Sequence, residues 1–292
     1  MNVLVTGATG FVGKSIVAEL ARLGHRVYAG SRLGSTLPDV QAVTLDVTKP
    51  DSIDQALSVA QPEAVVHLVG IIAEKGTQTF ESVHVQGTEH LIQRLQPNTR
   101  YVHMSALGAR LGTPSRYFTS KAQAEQRVRD SHLAYTIFRP SLIFGPGDDF
   151  FGRVLRNLVS QGPIVPLIGR GNFPFRPVSI HDVTKAFVGT LSQPESVAKT
   201  FDLVGPTEYS LKQLLQLELQ TLGKRKPLMS IPLAFMNILV PLMNLVPNPP
   251  ITRDQYAMLL EGNTGDPSPA REVFDLPMET LENALPNILK KH

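Results

Sequence analysis

The feature that most constrains this chain is a glycine-rich loop placed directly after its first apolar segment. Val3–Val5 leads into Thr6-Gly-Ala-Thr-Gly-Phe-Val-Gly13, and apolar residues at helical spacing follow. Glycines three residues apart allow a tight turn, a close approach of the backbone to a ligand, and close packing of the helix on the strand. The order of strand, glycine loop and helix therefore predicts a β-α-β unit at the start of the chain.

Strand-like and helix-like segments alternate over the first two-thirds of the sequence. Repeated alternation with apolar strands predicts a parallel sheet covered on both faces, that is, an α/β, doubly wound fold of the Rossmann type. The predicted strands are Val3–Thr6, Arg26–Tyr28, Val43–Leu45, Ala64–Leu68, Tyr101–Ser105 and Tyr135–Arg139.

The alternation loosens after about Phe144, where proline and glycine become frequent. In this part the sequence predicts a helix at Asp149–Ser160, a strand at Phe175–Ile180, a helix at His181–Leu191 and a strand at Phe201–Val204. We therefore predict a Rossmann domain at residues 1–204, in which residues 145–177 form a loop-rich excursion toward the second lobe. A smaller, mostly helical carboxy-terminal lobe is predicted at residues 205–292.

Composition excludes several classes of function. The 28 basic and 25 acidic residues give a net charge of +3 without a concentrated basic face, which argues against nucleic-acid binding. The absence of cysteine excludes disulfides and thiolate metal sites, and no residues stand at metal-ligand spacing, so no metal site is expected. Because no basic leader or cleavage site precedes Val3, the expected location is the cytoplasm.

The glycine loop indicates a dinucleotide site. A helix amino terminus offers N–H groups and a positive dipole end to phosphates, and the loop lets a pyrophosphate approach them. We expect the cofactor to contact the residues that form this turn and open the helix. They are Gly7, Thr9, Gly10, Phe11, Val12 and Gly13.

The end of the second strand favours NADP(H) over NAD(H). An NAD site usually has Asp or Glu there, but this chain has Gly30-Ser31-Arg32. The guanidinium of Arg32 complements a 2′-phosphate, and Ser31 adds a hydroxyl donor, although an exposed Arg without function is the alternative. After the third strand, Asp46 and Val47 either lie near the adenine or, in the case of Asp46, cap the turn before a helix.

Several motifs together resemble the extended and atypical short-chain dehydrogenase/reductases. They include the glycine loop, Tyr117-Phe-Thr-Ser-Lys121, Arg139-Pro140-Ser141 and Gly145-Pro146-Gly147-Asp148. Phe201–Pro206 and Pro249–Gln255 further resemble the branch that holds the Rossmann-type accessory subunit of respiratory complex I and its bacterial relatives. This resemblance implies the same fold and a nicotinamide cofactor, and it specifies no substrate.

The resemblance assigns catalytic roles to Tyr117, Lys121 and Ser105. Tyr117 and Lys121 are one helical turn apart, so both side chains can reach one cleft. The ammonium group favours the phenolate and can hold the nicotinamide ribose, while Ser105 orients the substrate oxygen. A chance YxxxK match on an amphipathic helix is the alternative.

The sequence departs from the family pattern at two positions. His84 stands where an Asn is usual, and Met104-Ser105-Ala106 carries one hydroxyl where two serines are usual. Both changes bring the family's proton relay into question. We also place in the cofactor site the residues Leu68, Val69, Gly70, His84, Pro140 and Ser141.

An uncharged segment, Pro227–Pro250, raises the question of a membrane or partner contact. We expect Pro232 and Pro241 to break it into two short helices, too short to span a bilayer. The segment either forms a wall of the substrate pocket or contacts a respiratory complex or the inner face of a membrane peripherally. Asn and Ser replace the Lys and Arg that an interfacial helix usually carries, which argues against the membrane.

The leading hypothesis is an NADP(H)-binding oxidoreductase that transfers hydride to a carbonyl or quinone-like hydrophobic small molecule. One alternative is a non-catalytic NADPH-binding subunit or redox sensor of a larger, respiratory complex. Another is a nucleotide-sugar epimerase or dehydratase that retains NAD. The sequence leaves the oligomeric state open.

Overall fold

A parallel sheet of seven strands forms the centre of the structure's first unit. Six of its strands are β1 (Asn2–Thr6), β2 (Arg26–Ser31), β3 (Gln41–Thr44), β4 (Ala64–His67), β5 (Arg100–Met104) and β6 (Ala134–Pro140). The strand order places the seventh strand, Lys199–Leu203, at one edge, followed by β6, β5, β4, β1, β2 and β3, and every neighbouring pair is parallel. This arrangement confirms the predicted doubly wound Rossmann fold.

Eleven α-helices connect or follow the strands in the part of the chain described by this computed structural model, residues 1–34, 37–38, 40–246 and 249–290. They are α1 (Phe11–Arg22), α2 (Pro50–Ala60), α3 (Gly87–Ile92), α4 (Arg116–Arg129), α5 (Arg156–Ser160), α6 (Ile180–Gly189), α7 (Leu211–Thr221), α8 (Leu233–Met243), α9 (Arg253–Glu261), α10 (Ser268–Phe274) and α11 (Leu281–Lys290). Two π-helical segments, Glu81–Gln86 and Phe150–Leu155, lead directly into α3 and α5, and a short 3-10 turn covers Pro194–Ser196.

The chain forms two compact units that interleave along the sequence. The first unit combines Met1–Pro140 with His181–Leu203 and Ser268–Pro277, and the remaining segments form the second. Residues 141–180 therefore group with the carboxy-terminal part, whereas the sequence analysis placed a single boundary at residue 204.

The second unit has its own apolar core, built from α5, α7, α11 and short strand pairs. The strand Leu228–Ile231 pairs in parallel with Val165–Ile168, and Tyr209–Ser210 pairs with Pro174–Phe175 in the antiparallel sense. Ser210 caps α7 with a capping box, in which its hydroxyl accepts from the backbone amide of Gln213. Helices thus predominate in this unit, as expected.

Three local predictions need correction. The strand expected at Phe175–Ile180 is two short strands, Pro174–Phe175 and Val178–Ser179, because Pro177 has no N–H to continue a ladder. The helix expected at Asp149–Ser160 opens as a π-helical segment. Pro241 lies inside α8 instead of ending it; α8 closes two residues later at Met243, so the proline removes a single hydrogen bond in the last turn.

Three buried rings stack along the interior of β4 and β5. The ring centroids of His67 and His103 are 5.5 Å apart, and Tyr101 lies 6.1 Å from each. His67 Nδ1 pairs with the Thr6 hydroxyl at 2.7 Å, and its Nε2 pairs with Thr88. Among the described residues, His103 has no hydrogen-bond partner on either ring nitrogen. The sequence predicts that His67 and His103, both in buried strands, are core histidines with satisfied hydrogen bonds; this prediction holds for His67 and is wrong for His103.

These histidines make the protein sensitive to acid. Burial lowers the pKa of His67 to about 3 and lowers the pKa of His103 well below its usual value. The unfolded chain binds protons at these positions below about pH 6.5, whereas the folded chain does not, so stability falls as pH falls through this range. We expect the His103→Phe variant to be about 1–2 kcal/mol more stable at pH 7, because it removes a buried unpaired ring, and to lose less stability between pH 7 and pH 5.

The matched control is His67→Phe, which removes a histidine that has partners. It should be less stable than the wild type at pH 7, since the Thr6 and Thr88 hydroxyls each lose a hydrogen bond. Denaturant unfolding at several pH values measures both variants. A His103→Phe variant destabilised as much as His67→Phe would contradict this account.

Candidate dinucleotide-binding and active site

The glycine loop takes a shape that its glycines alone permit. Gly7 has φ of +72°, in the left-handed region. A Cβ on Gly13 would lie 2.3 Å from the Gly7 carbonyl oxygen and 2.8 Å from backbone atoms of Ala8. The Gly10 amide closes the turn by donating to the Gly7 carbonyl at 3.0 Å. Helix α1 therefore starts against the end of β1 at a distance that no side chain would allow.

The amino terminus of α1 fits an anionic group. Gly10 is the N-cap residue and provides no side-chain cap, and the first amides of a helix have no partner within it. Thr9 and Gly10 are exposed, while the side chain of Val12 packs into the core, so Val12 can offer a ligand its backbone amide. The turn leaves no room for a side chain at Gly13, and the amides at the start of α1 have no capping side chain. A pyrophosphate requires this combination of close backbone approach and available N–H groups.

Ser31 and Arg32, at the end of β2, differ in their exposure to solvent. Arg32 is exposed, as a side chain that binds the 2′-phosphate of a cofactor must be. Ser31 is buried, and its hydroxyl donates to the Gly34 carbonyl, so it holds the turn together. Serving as a phosphate donor would require Ser31 to give up that bond.

Asp46 takes part in a turn, as one of its two predicted roles requires. Its Oδ1 accepts from the backbone amide of Thr48 at 3.0 Å and from the Thr48 hydroxyl at 2.7 Å. Val47 is buried, and a Cβ on Gly87 would lie 2.8 Å from its side chain. Val47 thus packs against the start of α3.

The segment after β4 lies beside both the glycine loop and α4. A Cβ on Gly7 would lie 3.3 Å from the backbone of Leu68 and Val69. A Cβ on Gly70 would lie 3.1 Å from the Lys121 amine and 3.5 Å from His84 Nε2. The structure therefore brings together residues that are far apart in the sequence.

Lys121 and Tyr117 both lie on α4, and each is affected by burial. Lys121 is 3% exposed, and its amine donates to the Met104 carbonyl at 3.1 Å. Burial lowers the pKa of Lys121 to about 8 and raises the pKa of Tyr117 to about 12. The Tyr117 ring packs edge-on against His84 and Phe80. At neutral pH the pair is therefore an ammonium and a protonated phenol.

His84 is fixed in one neutral tautomer. The backbone amide of Ile71 donates to its Nε2 at 3.0 Å, so that nitrogen carries no proton. Its Nδ1 then donates to the Ser120 hydroxyl at 2.8 Å, and this hydroxyl donates to the Tyr117 carbonyl at 2.8 Å. Burial and the charge of Lys121 lower the pKa of His84 to about 2. His84 is therefore a neutral ring at neutral pH.

Ser105 belongs to a buried ionic cluster that the sequence analysis did not identify. Its hydroxyl donates to Glu125, a carboxylate that is fully buried. Arg139 donates to both Glu125 oxygens, at 2.7 and 2.6 Å, and Arg129 donates to one of them at 2.7 Å. Burial alone would raise the pKa of Glu125, but the hydrogen bonds from Arg139 and Ser105 outweigh it and hold the pKa below its usual value.

A signal for this cluster was present in the sequence. Glu125 stands four residues after Lys121, on the same helical face, and Arg139 belongs to a motif that carried the family resemblance. Pro140 ends β6 in the first unit, and Ser141 begins the second unit with a buried hydroxyl that has no partner among the described residues.

Two residues of the loop-rich region stabilise loops of the second unit. Asp148 is buried, and its carboxylate accepts from the backbone amides of Gly145 and Phe151. Arg176 donates to the carbonyls of Pro206 and Gly265 at 3.1 and 3.0 Å. Asp148 and Arg176 therefore each hold backbone segments of the second unit together.

Within the described ranges, no three metal-ligating side chains come together. Over the same residues, no helix combines the length and apolar character that crossing a bilayer requires.

The loop, strand order and helix positions define a class of protein. Residues 3–204 match the NAD dependent epimerase/dehydratase family, and the chain belongs to this family. The family identifies the dinucleotide as a nicotinamide cofactor.

The chain is similar to three curated relatives, which are named as two respiratory subunits and one reductase. The mitochondrial NADH dehydrogenase (ubiquinone) 1 alpha subcomplex subunit 9 of Arabidopsis thaliana is 32% identical, over 73% of this chain and 56% of its own length. The NADH-ubiquinone oxidoreductase 40 kDa subunit of Neurospora crassa is 29% identical, over 78% and 62%. Ceramide reductase of Caulobacter vibrioides is 31% identical, over 58% and 54%. The matches thus span little more than half the length of these relatives.

Solved structures share the fold over nearly their whole length. UDP-glucose 4-epimerase from Thermotoga maritima, with UDP-glucose, gives a TM-score of 0.77 at 18% identity, over 100% of this chain and 98% of that one. UDP-glucuronic acid 4-epimerase from Bacillus cereus, with NAD, gives 0.74 at 17% identity, over 100% and 99%.

The ionic cluster at Glu125 should stabilise the fold strongly. We expect Glu125→Gln to lower the free energy of unfolding at pH 7 by about 2–3 kcal/mol, because a charged hydrogen-bond acceptor for three donors is lost. Because the pKa of Glu125 is lowered, this contribution is present above about pH 4.5 and is lost as the pH falls further. Denaturant unfolding at pH 7 measures it.

Glu19→Gln is the matched control, since Glu19 forms an exposed pair with Arg22 on α1. Its effect should be at most about 1 kcal/mol. Equal effects of the two substitutions would show that the buried cluster contributes no more than a surface ion pair.

Proposed function

We propose that this protein is an NADP(H)-binding oxidoreductase that reduces the carbonyl of a hydrophobic small molecule. The observation that carries the proposal is the site's combination of an uncapped α1 terminus with the exposed Arg32 after β2. No acid occupies Gly30–Arg32, the place where a carboxylate would repel a 2′-phosphate.

Different residues of the site would hold different parts of the cofactor. The backbone from Gly7 to Gly13 would hold the pyrophosphate, Arg32 the 2′-phosphate, and Lys121 the nicotinamide ribose. Leu68–Gly70, adjacent to both the loop and Lys121, would line the same cofactor. The cofactor itself supplies a hydride.

The protonation state of Tyr117 favours reduction. With its pKa raised to about 12, the side chain is a phenol at neutral pH and can donate a proton to a carbonyl oxygen. Lys121, as an ammonium, stabilises the phenolate that remains after this transfer. Ser105 can orient the substrate oxygen only by redirecting the hydrogen that it now donates to Glu125.

A hydrophobic substrate is supported by one relative. Ceramide reductase matches over 175 residues at 31% identity, and its name gives a lipid substrate for that protein. Location in the cytoplasm stays a prediction from the sequence.

The first test compares NADPH and NADH by fluorescence titration of the wild type and Arg32→Gln. We expect the wild type to prefer NADPH by about tenfold or more, equivalent to about 1.4 kcal/mol, and Arg32→Gln to lose most of that preference. Arg170→Gln, which changes an exposed arginine of the second unit, is the control and should retain it. Equal affinities in the wild type would contradict the role of Arg32 and favour a nucleotide-sugar epimerase with NAD.

The second test examines turnover of hydrophobic ketones and quinones with NADPH. Tyr117→Phe should lower kcat by about 100-fold or more, because a general acid is lost, while the affinity for NADPH changes little. Phe118→Leu, a change at the neighbouring buried ring, controls for packing.

A non-catalytic NADPH-binding subunit is the second candidate. It is favoured by the engagement of the Ser105 hydroxyl with Glu125 and by the two relatives named as subunits of NADH dehydrogenases. In that case Tyr117→Phe leaves any reduction unchanged, and bound NADPH mainly raises the unfolding temperature.

A further inference from the structure

Helix α8 in the second unit presents apolar side chains to solvent. Phe235, Ile238 and Leu242, spaced three and four residues apart, share one helical face and are 56%, 67% and 57% exposed. Met236 and Val240 lie on the other face, where they are buried with Tyr256. The helix thus has two apolar faces, of which one packs onto the protein and one does not.

The polar side chains of α8 and its carboxy-terminal end bond to the protein. Asn237 Oδ1 accepts from the Tyr256 hydroxyl at 2.8 Å. Asn244 Nδ2 donates to the carbonyls of Val240 and Ile251, at 2.8 and 3.1 Å, and its Oδ1 accepts from the Arg253 amide. The asparagines that argued against a membrane contact therefore fix the orientation of the helix, with Phe235, Ile238 and Leu242 outward.

The exposed apolar surface continues beyond the helix at both ends. Met229, on the strand that precedes α8, is 52% exposed, and Leu245 and Val246, which follow it, are 76% and 57% exposed. Pro247 and Asn248 of the same segment lie outside the described residues. An exposed apolar surface of this extent is uncommon on a protein that has no binding partner at that surface.

The charge of the segment around α8 indicates which kind of partner would cover the apolar surface. Residues 219–252 contain three basic residues, Lys224, Arg225 and Lys226, and no acidic residue. The amines of Lys224 and Lys226 bond to Ser160 and Gly162, which holds the basic run at the start of the strand leading into α8, and Arg225 is exposed. Basic side chains next to an apolar surface complement anionic lipid headgroups above a hydrocarbon layer.

The geometry points to a membrane-docking surface: we propose that α8 lies in the plane of an anionic lipid bilayer, with Phe235, Ile238 and Leu242 inserted and Arg225 on the headgroups. Eleven residues give a helix of about 16 Å, which is too short for the ~30 Å hydrocarbon core and suits the interface. The proposal is independent of nucleotide binding, since all of these residues belong to the second unit.

The test is flotation of the full-length protein with vesicles of phosphatidylcholine and phosphatidylglycerol in equal parts, compared with phosphatidylcholine alone. We expect the wild type to bind the anionic vesicles and to be released by high salt. Ile238→Asn should weaken binding about tenfold, and Arg225→Gln about fivefold. Val59→Asn, which changes an apolar residue 60% exposed on α2, is the matched control and should bind like the wild type.

Unfolding temperatures equal to that of the wild type show that the variants are folded. The proposal is overturned if the wild type fails to float with anionic vesicles, or if folded Ile238→Asn floats as well as the wild type. It is also overturned if the surface instead mediates self-association, seen as a dimer in sedimentation that Ile238→Asn dissociates while vesicle binding is absent.

Discussion

The close approach of α1 to β1 at Gly13 is the contact on which the candidate site depends. Without a Cβ at that position, the helix begins beside the Gly7 carbonyl, and its first amides open at the carboxyl edge of the sheet. The same loop touches Leu68 and Val69, which come directly after β4. A larger residue at Gly13 would push the helix outward and separate the phosphate site from the residues that follow β4.

Burial then determines the charges around the site. In a dry environment a neutral imidazole and a protonated phenol cost less than their charged forms. Burial works against the Lys121 ammonium, but a pKa of about 8 still keeps this group charged at neutral pH. His84 keeps one tautomer because a backbone amide, which can only donate, occupies its Nε2. Burial, and after it the positive charge of Lys121, lowers the pKa values of His84 and His67. The buried Glu125 carboxylate raises the pKa of Lys121 and so favours its charged form. Glu125 also accepts a hydrogen bond from Ser105, so the carboxylate that compensates the charge of Lys121 also orients the candidate catalytic hydroxyl.

The sequence predicted the fold because its signals are local and repeated. Each β-α repeat of the first unit carries its own apolar strand, and the glycine loop places the first repeat without reference to the rest. Predictions failed where the outcome depends on distant neighbours. Among the described residues, no donor or acceptor from another element reaches His103, which the local pattern of its strand could not show. The partner of Ser105, Glu125, was equally out of reach, since a spacing shows which residues share a face and not which bond a hydroxyl makes.

The apolar surface of α8 shows what composition alone does not reveal about that segment. An interfacial helix is usually recognised by lysines and arginines on its polar face. In this protein the polar face points inward and carries asparagines, which can bond to the protein without the cost of burying a charge. The basic residues instead precede the helix by one short strand, so charge and apolar surface are separated along the sequence. A hydrophobic substrate of the proposed reductase would dissolve in a bilayer rather than in water. An enzyme docked on the bilayer through α8 would therefore meet that substrate where its concentration is highest.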